Sequence, residues 1–325
     1  KAAFSDYKAL EYELSYLKFS ILVRSVQAYF QAIEAIGQLK ISRESYNNLL
    51  EIRDLVKDRY LKGVRSSLDY RMAETALASA TVEIEYSKLK SNQMNRMINL
   101  LQGDYPNSNF DFLSELPQKI PPIPSGIPAD IIKRRPDIKA LILKIESENF
   151  RLSQNKRNLF PSLVLTSSIG TSTNELKNLL NGDYGIWNMG ISLTEPLFNQ
   201  GKIRRSIKAQ KAIKENALYN FNIKLLDSFS EIEELQELEN SYNIQLEALL
   251  IAETQSKDAF KLARERYDKG LATLELVLNS QKTYNDIRSQ NLSLKKEKLN
   301  NRLSLILALG GSMDIESEKI EIGNK

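Results

Sequence analysis

The stretch "RYLKGVRSSLDY", from Arg59 to Tyr70, decides how this chain folds, because it returns as "RYDKGLATLELV" from Arg266 to Val277. The two copies lie 207 residues apart, with Arg, Tyr, Lys and Gly in register. A Lys followed by a Gly is typical of the last turn of a helix and the left-handed residue after it. Ser66 and Thr273 can then cap a returning helix. Each copy therefore predicts the tip of an antiparallel helical hairpin.

The sequence on either side of each tip predicts long helices. All nine prolines fall between Pro106 and Pro196, and the flanks contain few glycines. Such tracts, rich in Leu, Ala, Glu, Lys and Gln, favour uninterrupted helices, and their apolar residues recur at spacings of three and four. At about 1.5 Å per residue, the arm from Lys202 to Lys269 would be roughly 100 Å long.

The similarity between the two halves extends beyond the tips. Downstream, "LLQG" ending at Gly103 aligns without a gap with "LALG" ending at Gly310. Upstream, Phe30 and Phe229 offer a looser match that requires an eight-residue difference in spacing. The chain is therefore interpreted as a tandem duplication of a long helical hairpin.

Composition excludes several classes of function. The 325 residues carry a net charge of +4 with both signs interspersed, which is not the basic stripe of a nucleic-acid-binding protein. Cys and His are both absent, so a disulfide framework, a Cys/His zinc site, a thiol nucleophile and a His-based triad are excluded within this sequence. No apolar run reaches the length of a membrane-spanning helix. We expect no enzyme activity, no cofactor and no metal.

The middle of the chain predicts two β-strands. In "PSLVLTSSIGT" and "IWNMGISLTEPLF", apolar residues alternate with small polar ones. Two interpretations stay open: a hairpin packed on a soluble core, or tilted strands long enough to cross a bilayer. Trp187, the single Trp, would then lie at the membrane interface. Because an open strand edge is not tolerated in lipid, several chains would have to pool their strands.

These signals divide the chain into six segments. We predict a first helical hairpin repeat with its tip near Gly63, a Pro-rich connector, a helix, a transmembrane β-hairpin, a second helical hairpin repeat with its tip near Gly270, and a C-terminal tail. Their bounds are 1–105, 106–136, 137–160, 161–199, 200–311 and 312–325, respectively.

Three stretches resemble the outer membrane factors of Gram-negative bacteria, the TolC-like channel proteins, and among them the NodT-type efflux lipoproteins. "IPADIIKRRPDIKA" (Ile127–Ala140) resembles the connector signature of that branch. "LFPSLVLTSSIG" followed by "WNMGISLTEPLFNQGKIR" resembles the second strand pair of the family and the start of the next helix. The paired tips, with "SSLDYRMAE" and "LELVLNSQK" after them, match both repeats.

The resemblance implies a mainly helical homotrimer without catalytic site or cofactor. In the family, long helical hairpins form an α-barrel through the periplasm, and the strands of three chains share one transmembrane β-barrel in outer membrane lipid. The duct carries drugs, metal ions or other compounds from an inner-membrane efflux transporter, through a periplasmic adaptor protein, to the exterior. A type I protein-secretion duct and a soluble coiled-coil scaffold are the alternatives.

The sequence departs from the family pattern at two places. The lipidated Cys, first helix and first strand pair of the family do not occur, so we expect Lys1 to lie just after that strand pair. At the periplasmic gate, where the family often has Asp and then Arg, this chain has Asn279 and Lys282, and Glu275 could restore an acidic ring.

The resemblance also assigns adaptor docking to the two tips. A local role, capping the helix and packing the turn, is equally open for the Arg and Tyr residues of the two copies. Exposure at the turn favours Val64, Arg65, Leu271 and Ala272 as docking positions. The full set of predicted docking residues is Arg59, Gly63, Val64, Arg65, Ser67, Leu68, Arg266, Gly270, Leu271, Ala272 and Thr273.

Overall fold

A computed structural model shows five α-helices, two short 3-10 helices and two strands in the part of the chain that it describes. The described residues are 1–106, 115–117, 134–178, 180, 182–195 and 201–310. Most of the predicted connector, residues 196–200 within "WNMGISLTEPLFNQGKIR" and the predicted tail lie outside these ranges. The chain forms two compact units. The first unit comprises Lys1–Leu14 and Pro136–Leu226, and the second unit comprises Ser15–Arg135 and Asp227–Lys325.

The predicted long helices are confirmed. In chain order they are α1 (Ala2–Leu61), α2 (Ser67–Gln102), α3 (Pro136–Arg157), α4 (Lys202–Asp268) and α5 (Leu274–Ala308). The helix α3 begins at Pro136, where a proline costs no hydrogen bond because the first amide of a helix has no partner within it. Within the described ranges, no helix is long and apolar enough to span a membrane.

The second unit is held together near the tips by a core to which four helices contribute. Leu49 and Val56 of α1 pack with Leu77 of α2, Tyr267 of α4 and Val277 of α5. Both hairpins thus share one core next to their turns. Because burial of such side chains is the main favourable contribution to folding, this cluster fixes the two tips side by side.

Burial supports an ungapped alignment of the two halves next to the tips. At the constant offset of 207 residues, buried positions of α1 coincide with buried positions of α4: Ala32 with Glu239, Leu49 with Ser256, and Val56 with Ala263. At the offset that joins Phe30 to Phe229, Val56 would correspond to an exposed residue. The ungapped equivalence therefore holds from Ala32 and Glu239 to the tips. Further upstream it does not, because buried Ser228 and Ile232 would correspond to exposed Ile21 and half-buried Ser25, whereas the Phe30–Phe229 offset matches Ile232 with buried Ile33.

The first unit carries the strand pair. The strands β1 (Ser162–Thr171) and β2 (Gly185–Thr194) are antiparallel, with Ser162 opposite Thr194 and Thr171 opposite Gly185. Each strand has 10 residues, as the alternation predicts.

Arg135 is the largest fully buried side chain of the second unit. Its Nη1 donates hydrogen bonds of 2.9 Å to Glu231 Oε2 on α4 and to the carbonyl of Ala308 at the end of α5. A side chain at Gly310, which follows α5, would come within 3.0 Å of the Arg135 backbone, so a glycine is needed there. Arg135 thereby ties the segment before α3 to both helices of the second hairpin.

Candidate functional site

Both tips end their first helix in the same way. Gly63 donates to the carbonyl of Tyr60 and Val64 to that of Arg59, at 2.9 and 2.8 Å. In the second tip, Gly270 donates to Tyr267 and Leu271 to Arg266, at 3.0 and 2.8 Å. This pair of bonds is the Schellman motif, which satisfies helix carbonyls through a left-handed residue. The φ angles of +69° at Gly63 and +75° at Gly270 confirm the predicted helix stops.

Both tips also begin their second helix in the same way. The Ser66 hydroxyl accepts a hydrogen bond from the Asp69 amide at 3.2 Å, and the Thr273 hydroxyl accepts one from the Leu276 amide at 3.3 Å. Both capping residues have extended backbone angles. The predicted N-caps are confirmed, and in each tip five residues lie between the two helices.

The two copies differ at the tyrosine. Tyr267 is only 2% exposed, with the guanidinium carbons of Arg65 and Arg59 at 4.5 and 5.5 Å from the centre of its ring. Burial raises the pKa of the Tyr267 phenol above its ordinary value, against the opposing charges of the two arginines. Tyr60, its equivalent, is 39% exposed and stacks on Tyr70 at 5.4 Å. One tyrosine is a core residue and the other lies at the surface.

The structure places the predicted docking residues unevenly. Val64, Leu68 and Leu271 are exposed apolar side chains. The prediction of exposure is wrong for Arg65 and Ala272, which are half-buried. Arg65 turns inward because its guanidinium lies over Tyr267 and donates to the carbonyl of that residue at 3.4 Å. Ala272 packs against the shared core.

The other predicted docking residues have local roles: they close the turn or begin the next helix. The carbonyls of Arg59 and Arg266 close the two Schellman turns, and the Arg59 guanidinium also lies 3.6 Å from Asp268. Ser67 is the first residue of α2 and is exposed. The surface that a partner could contact is thus centred on the apolar residues at the turns.

Two of the three predicted gate residues line the same cleft. Asn279 and Lys282 line one cleft of about 490 Å³ between α1, α2 and α5, whereas Glu275, exposed in the first turn of α5, does not line it. Half of its other wall residues are serine, asparagine or glutamine, and Glu83 of α2 adds a carboxylate, whereas the apolar wall residues are Ile41, Leu49, Ala76, Ala80 and Leu278. The cleft is therefore of mixed polarity and open to water.

The charge on Lys282 is compensated locally. Its Nζ lies 2.6 Å from Asp286 Oδ2, one turn further along α5, and Asp286 also lines the cleft. Sequence reasoning missed Asp286, although an acid four residues after a lysine on a helix is the signal for such a pair. Asn279 therefore lies next to an ion pair whose charges cancel.

The strand pair presents one continuous apolar face. Leu163 lies opposite Leu193, Leu165 opposite Ile191, and Ile169 opposite Trp187. Every residue of both strands is exposed, so nothing in the described part of the chain covers this face. The interpretation as a hairpin packed on a soluble core has no core to support it. Trp187 is the third residue of β2, at the end that follows the loop between the strands, and is exposed.

Comparison with known proteins decides the family. The sequence model of the family described as outer membrane efflux protein matches residues 127–311, more than half of the chain. The chain belongs to the outer membrane efflux protein family. This match confirms the resemblance to the outer membrane factors. It also confirms the predicted class of protein, an efflux component of the outer membrane.

Two relatives illustrate the range of this family. The toluene efflux pump outer membrane protein TtgF of Pseudomonas putida is 27% identical over 329 residues, which cover 100% of this chain and 68% of the relative. The cation efflux system protein CusC of Escherichia coli K12 is 27% identical over 298 residues, covering 90% and 64%. The chain thus spans about two thirds of the length of these relatives.

Solved structures agree with the fold. The CmeC outer membrane channel of Campylobacter jejuni superposes with a TM-score of 0.88 at 25% identity, over 95% of this chain and 66% of that one. A membrane protein from Pseudomonas aeruginosa gives 0.89 at 25% identity, over 96% and 70%. The predicted fold class, long helical hairpins with a small membrane β part, is confirmed for this family member.

Proposed function

We propose that this protein is the exit duct of a tripartite efflux pump in the bacterial outer membrane. The observation that carries the proposal is the exposed apolar face of β1 and β2, which is attached to long polar helices. In water such a face would be costly, since each exposed apolar side chain forgoes about 1.5–3 kcal/mol of burial. In a bilayer the same face meets lipid, and the aqueous helices extend from it.

The strand pair also requires partners of its own kind. No third strand pairs with either edge among the described residues. Unpaired strand edges are excluded from lipid, so the open edges of this pair must bond to strands of other chains. The pair therefore supports a closed barrel to which several chains contribute strands. We propose a homotrimer, in which three copies also place their helices around one periplasmic duct.

The tips are the proposed docking site for a periplasmic adaptor. Val64, Leu68 and Leu271 are apolar and exposed on rigid turns, which is the combination expected of contact residues. A trimer would present six such turns. The adaptor would connect them to an inner-membrane efflux transporter, as the family resemblance implies.

The cleft beside Asn279 is the proposed constriction of the resting duct. Because Lys282 is paired with Asp286, an amide at position 279 leaves Glu83 as the one uncompensated charge among the residues that line the cleft. The proposed cargo is small molecules or metal ions, by analogy with the relatives named for toluene and cation efflux. Its passage needs no tight binding residue, because a wide, water-filled duct holds its cargo weakly.

Membrane fractionation of the protein produced in a Gram-negative host tests this proposal. We expect it in the outer membrane fraction, and as a trimer by light scattering after extraction in detergent. A protein found in the soluble fraction as a monomer or dimer would contradict the duct and favour a coiled-coil scaffold. Export of a polypeptide, and no small-molecule efflux, by cells carrying the assembled pump would instead favour a type I secretion duct.

A further inference from the structure

The end of the strand pair that adjoins the helices is strongly basic. The helix α3 ends at Arg157, shortly before β1 begins at Ser162, and α4 begins at Lys202, shortly after β2 ends at Thr194. Because Ser162 lies opposite Thr194, both helix ends meet the strands at the same edge. The described residues of segments 154–162 and 194–210 include one acid, Glu195, and six cations: Lys156, Arg157, Lys202, Arg204, Arg205 and Lys208.

These six cations have no ion-pair partner among the described residues, and all six are exposed. Further along α4 the pattern changes, since Lys211 lies 3.7 Å from Glu215 and Lys214 Nζ donates to Asn149 Oδ1 at 2.9 Å. The positive charge at this end of the strands is therefore not neutralised by the part of the chain that the structure describes.

The first turns of α4 carry their charge where a helix tolerates it least. Four of the six cations lie there, and the first turn contains no acid. The N-terminus of a helix has a partial positive charge, so cations at this position are destabilising and anions are stabilising. Lys156 and Arg157 differ, because they lie in the last turn of α3, where cations are favoured. An external anion would thus compensate the cations of α4.

A cleft between the two helices brings cations from both of them together. It has a volume of about 570 Å³ and is lined by Arg157 of α3 and Lys202 of α4. Asn155 and Ser206 add hydrogen-bonding groups, and Phe160, which is 69% exposed, adds apolar surface. Guanidinium and ammonium groups beside amide and hydroxyl donors suit a phosphate, and the aromatic ring suits an apolar chain attached to it. We call this site the basic cleft.

The position of the basic cleft indicates where such a phosphate comes from. Ser162, the first residue of β1, lines the cleft, and Leu163 next to it begins the apolar face that meets lipid in the proposed duct. From Lys202 to Lys208, the cations extend over about 9 Å of α4. A headgroup layer is about 5–8 Å deep, which is half the difference between the full and the hydrocarbon thickness of a bilayer. The basic segment therefore covers the depth of one headgroup layer.

We propose that the basic cleft binds the phosphate headgroup of an anionic phospholipid, in the leaflet on the helix side of the outer membrane. Arg157 and Lys202 hold the phosphodiester, Asn155 and Ser206 donate to its oxygens, and Phe160 lies where the acyl chains begin. One such lipid per chain fixes the depth of the strand pair in the membrane. This inference rests on the proposed duct, because only strands that lie in lipid bring the cleft to a headgroup layer.

Lipid titration of the trimer tests this site. The trimer, purified in detergent, is titrated with anionic phosphatidylglycerol or with zwitterionic phosphatidylcholine, and the bound lipids are counted by native mass spectrometry. We expect one tightly held phosphatidylglycerol per chain and weaker binding of phosphatidylcholine. A cation near an anionic lipid contributes about fivefold in affinity, so Arg157→Gln/Lys202→Gln should weaken phosphatidylglycerol binding about 25-fold and leave phosphatidylcholine binding unchanged.

Two controls separate the cleft from overall charge and from loss of folding. The variant Lys257→Gln/Lys261→Gln removes two exposed cations from α4 more than 40 residues beyond the basic segment, and it should bind phosphatidylglycerol like the native protein. Because a cation at the start of α4 is unfavourable, Lys202→Gln should not lower the unfolding midpoint in lipid-free detergent. Soluble glycerol phosphate at the same concentration should not displace the lipid, since it has no acyl chains.

The possible failures can be told apart. A trimer that binds both lipids equally, a control variant that loses as much affinity as the cleft variant, or displacement of the lipid by glycerol phosphate would overturn the lipid site and leave the proposed duct standing. A monomeric protein recovered from the soluble fraction would overturn both.

Discussion

Replacement of Arg135 by Ala tests how the second hairpin is held. The substitution removes a hydrogen bond from a charged donor to the Ala308 carbonyl, worth about 1.5–3 kcal/mol. It removes the ion pair with Glu231, worth about 0–1 kcal/mol because that carboxylate is 42% exposed. It also loses the burial of the aliphatic stem, at about 0.8 kcal/mol per methylene group. The expected loss of stability is about 3–5 kcal/mol.

Two further variants divide this loss into its parts. Arg135→Lys keeps the charge and most of the stem, and Glu231→Gln removes only the ion pair. We expect the midpoint of thermal unfolding, followed by circular dichroism at 222 nm in detergent, to fall by on the order of 10 °C for Arg135→Ala. It should fall less for Arg135→Lys and least for Glu231→Gln. If Glu231→Gln were as damaging as Arg135→Ala, the ion pair would dominate and the reasoning from the Ala308 carbonyl would be refuted.

Three further predictions concern the tips and the gate. Gly270→Val should lower the unfolding midpoint, because a β-branched residue at a φ of +75° costs about 1–2 kcal/mol, whereas Gly270→Asn should cost less. Tyr267→Phe should reduce the loss of stability above pH 10 in pH-dependent melting, since the raised pKa of the buried Tyr267 phenol makes its ionisation destabilising as pH rises, and an unchanged loss would contradict this. Asn279→Asp should increase cation selectivity in bilayer reversal potentials, and an unchanged reversal potential would mean that Asn279 does not line the constriction.

The features that depend on nearby residues could be predicted from the sequence. The turns at Gly63 and Gly270 and the caps at Ser66 and Thr273 follow from backbone sterics and hydrogen bonding within a few residues, and the structure has all four. The strand pair could also be predicted from the sequence, because side chains alternate between the two faces of a strand and this alternation is visible in the sequence.

Features that depend on distant packing could not be predicted. Tyr60 and Tyr267 occupy the same position of the repeated Arg-Tyr-x-Lys-Gly pattern, yet one is exposed and the other buried, with Arg65 of the other hairpin over its ring. For the same reason the exposure of Arg65 was predicted wrongly. The burial of the Arg135 guanidinium beside α4 and α5 could not be predicted either, because no local sequence pattern indicates it.

Single-channel conductance in a planar bilayer tests the central claim most directly. Trimeric protein, extracted from the outer membrane and added to one side of the bilayer, should produce discrete conductance steps. The Asn279→Asp variant should give steps of altered selectivity, which links the current to this chain. A correctly folded trimer that inserts into lipid and passes no ions, in either the native or the variant form, would contradict the account of this protein as an exit duct.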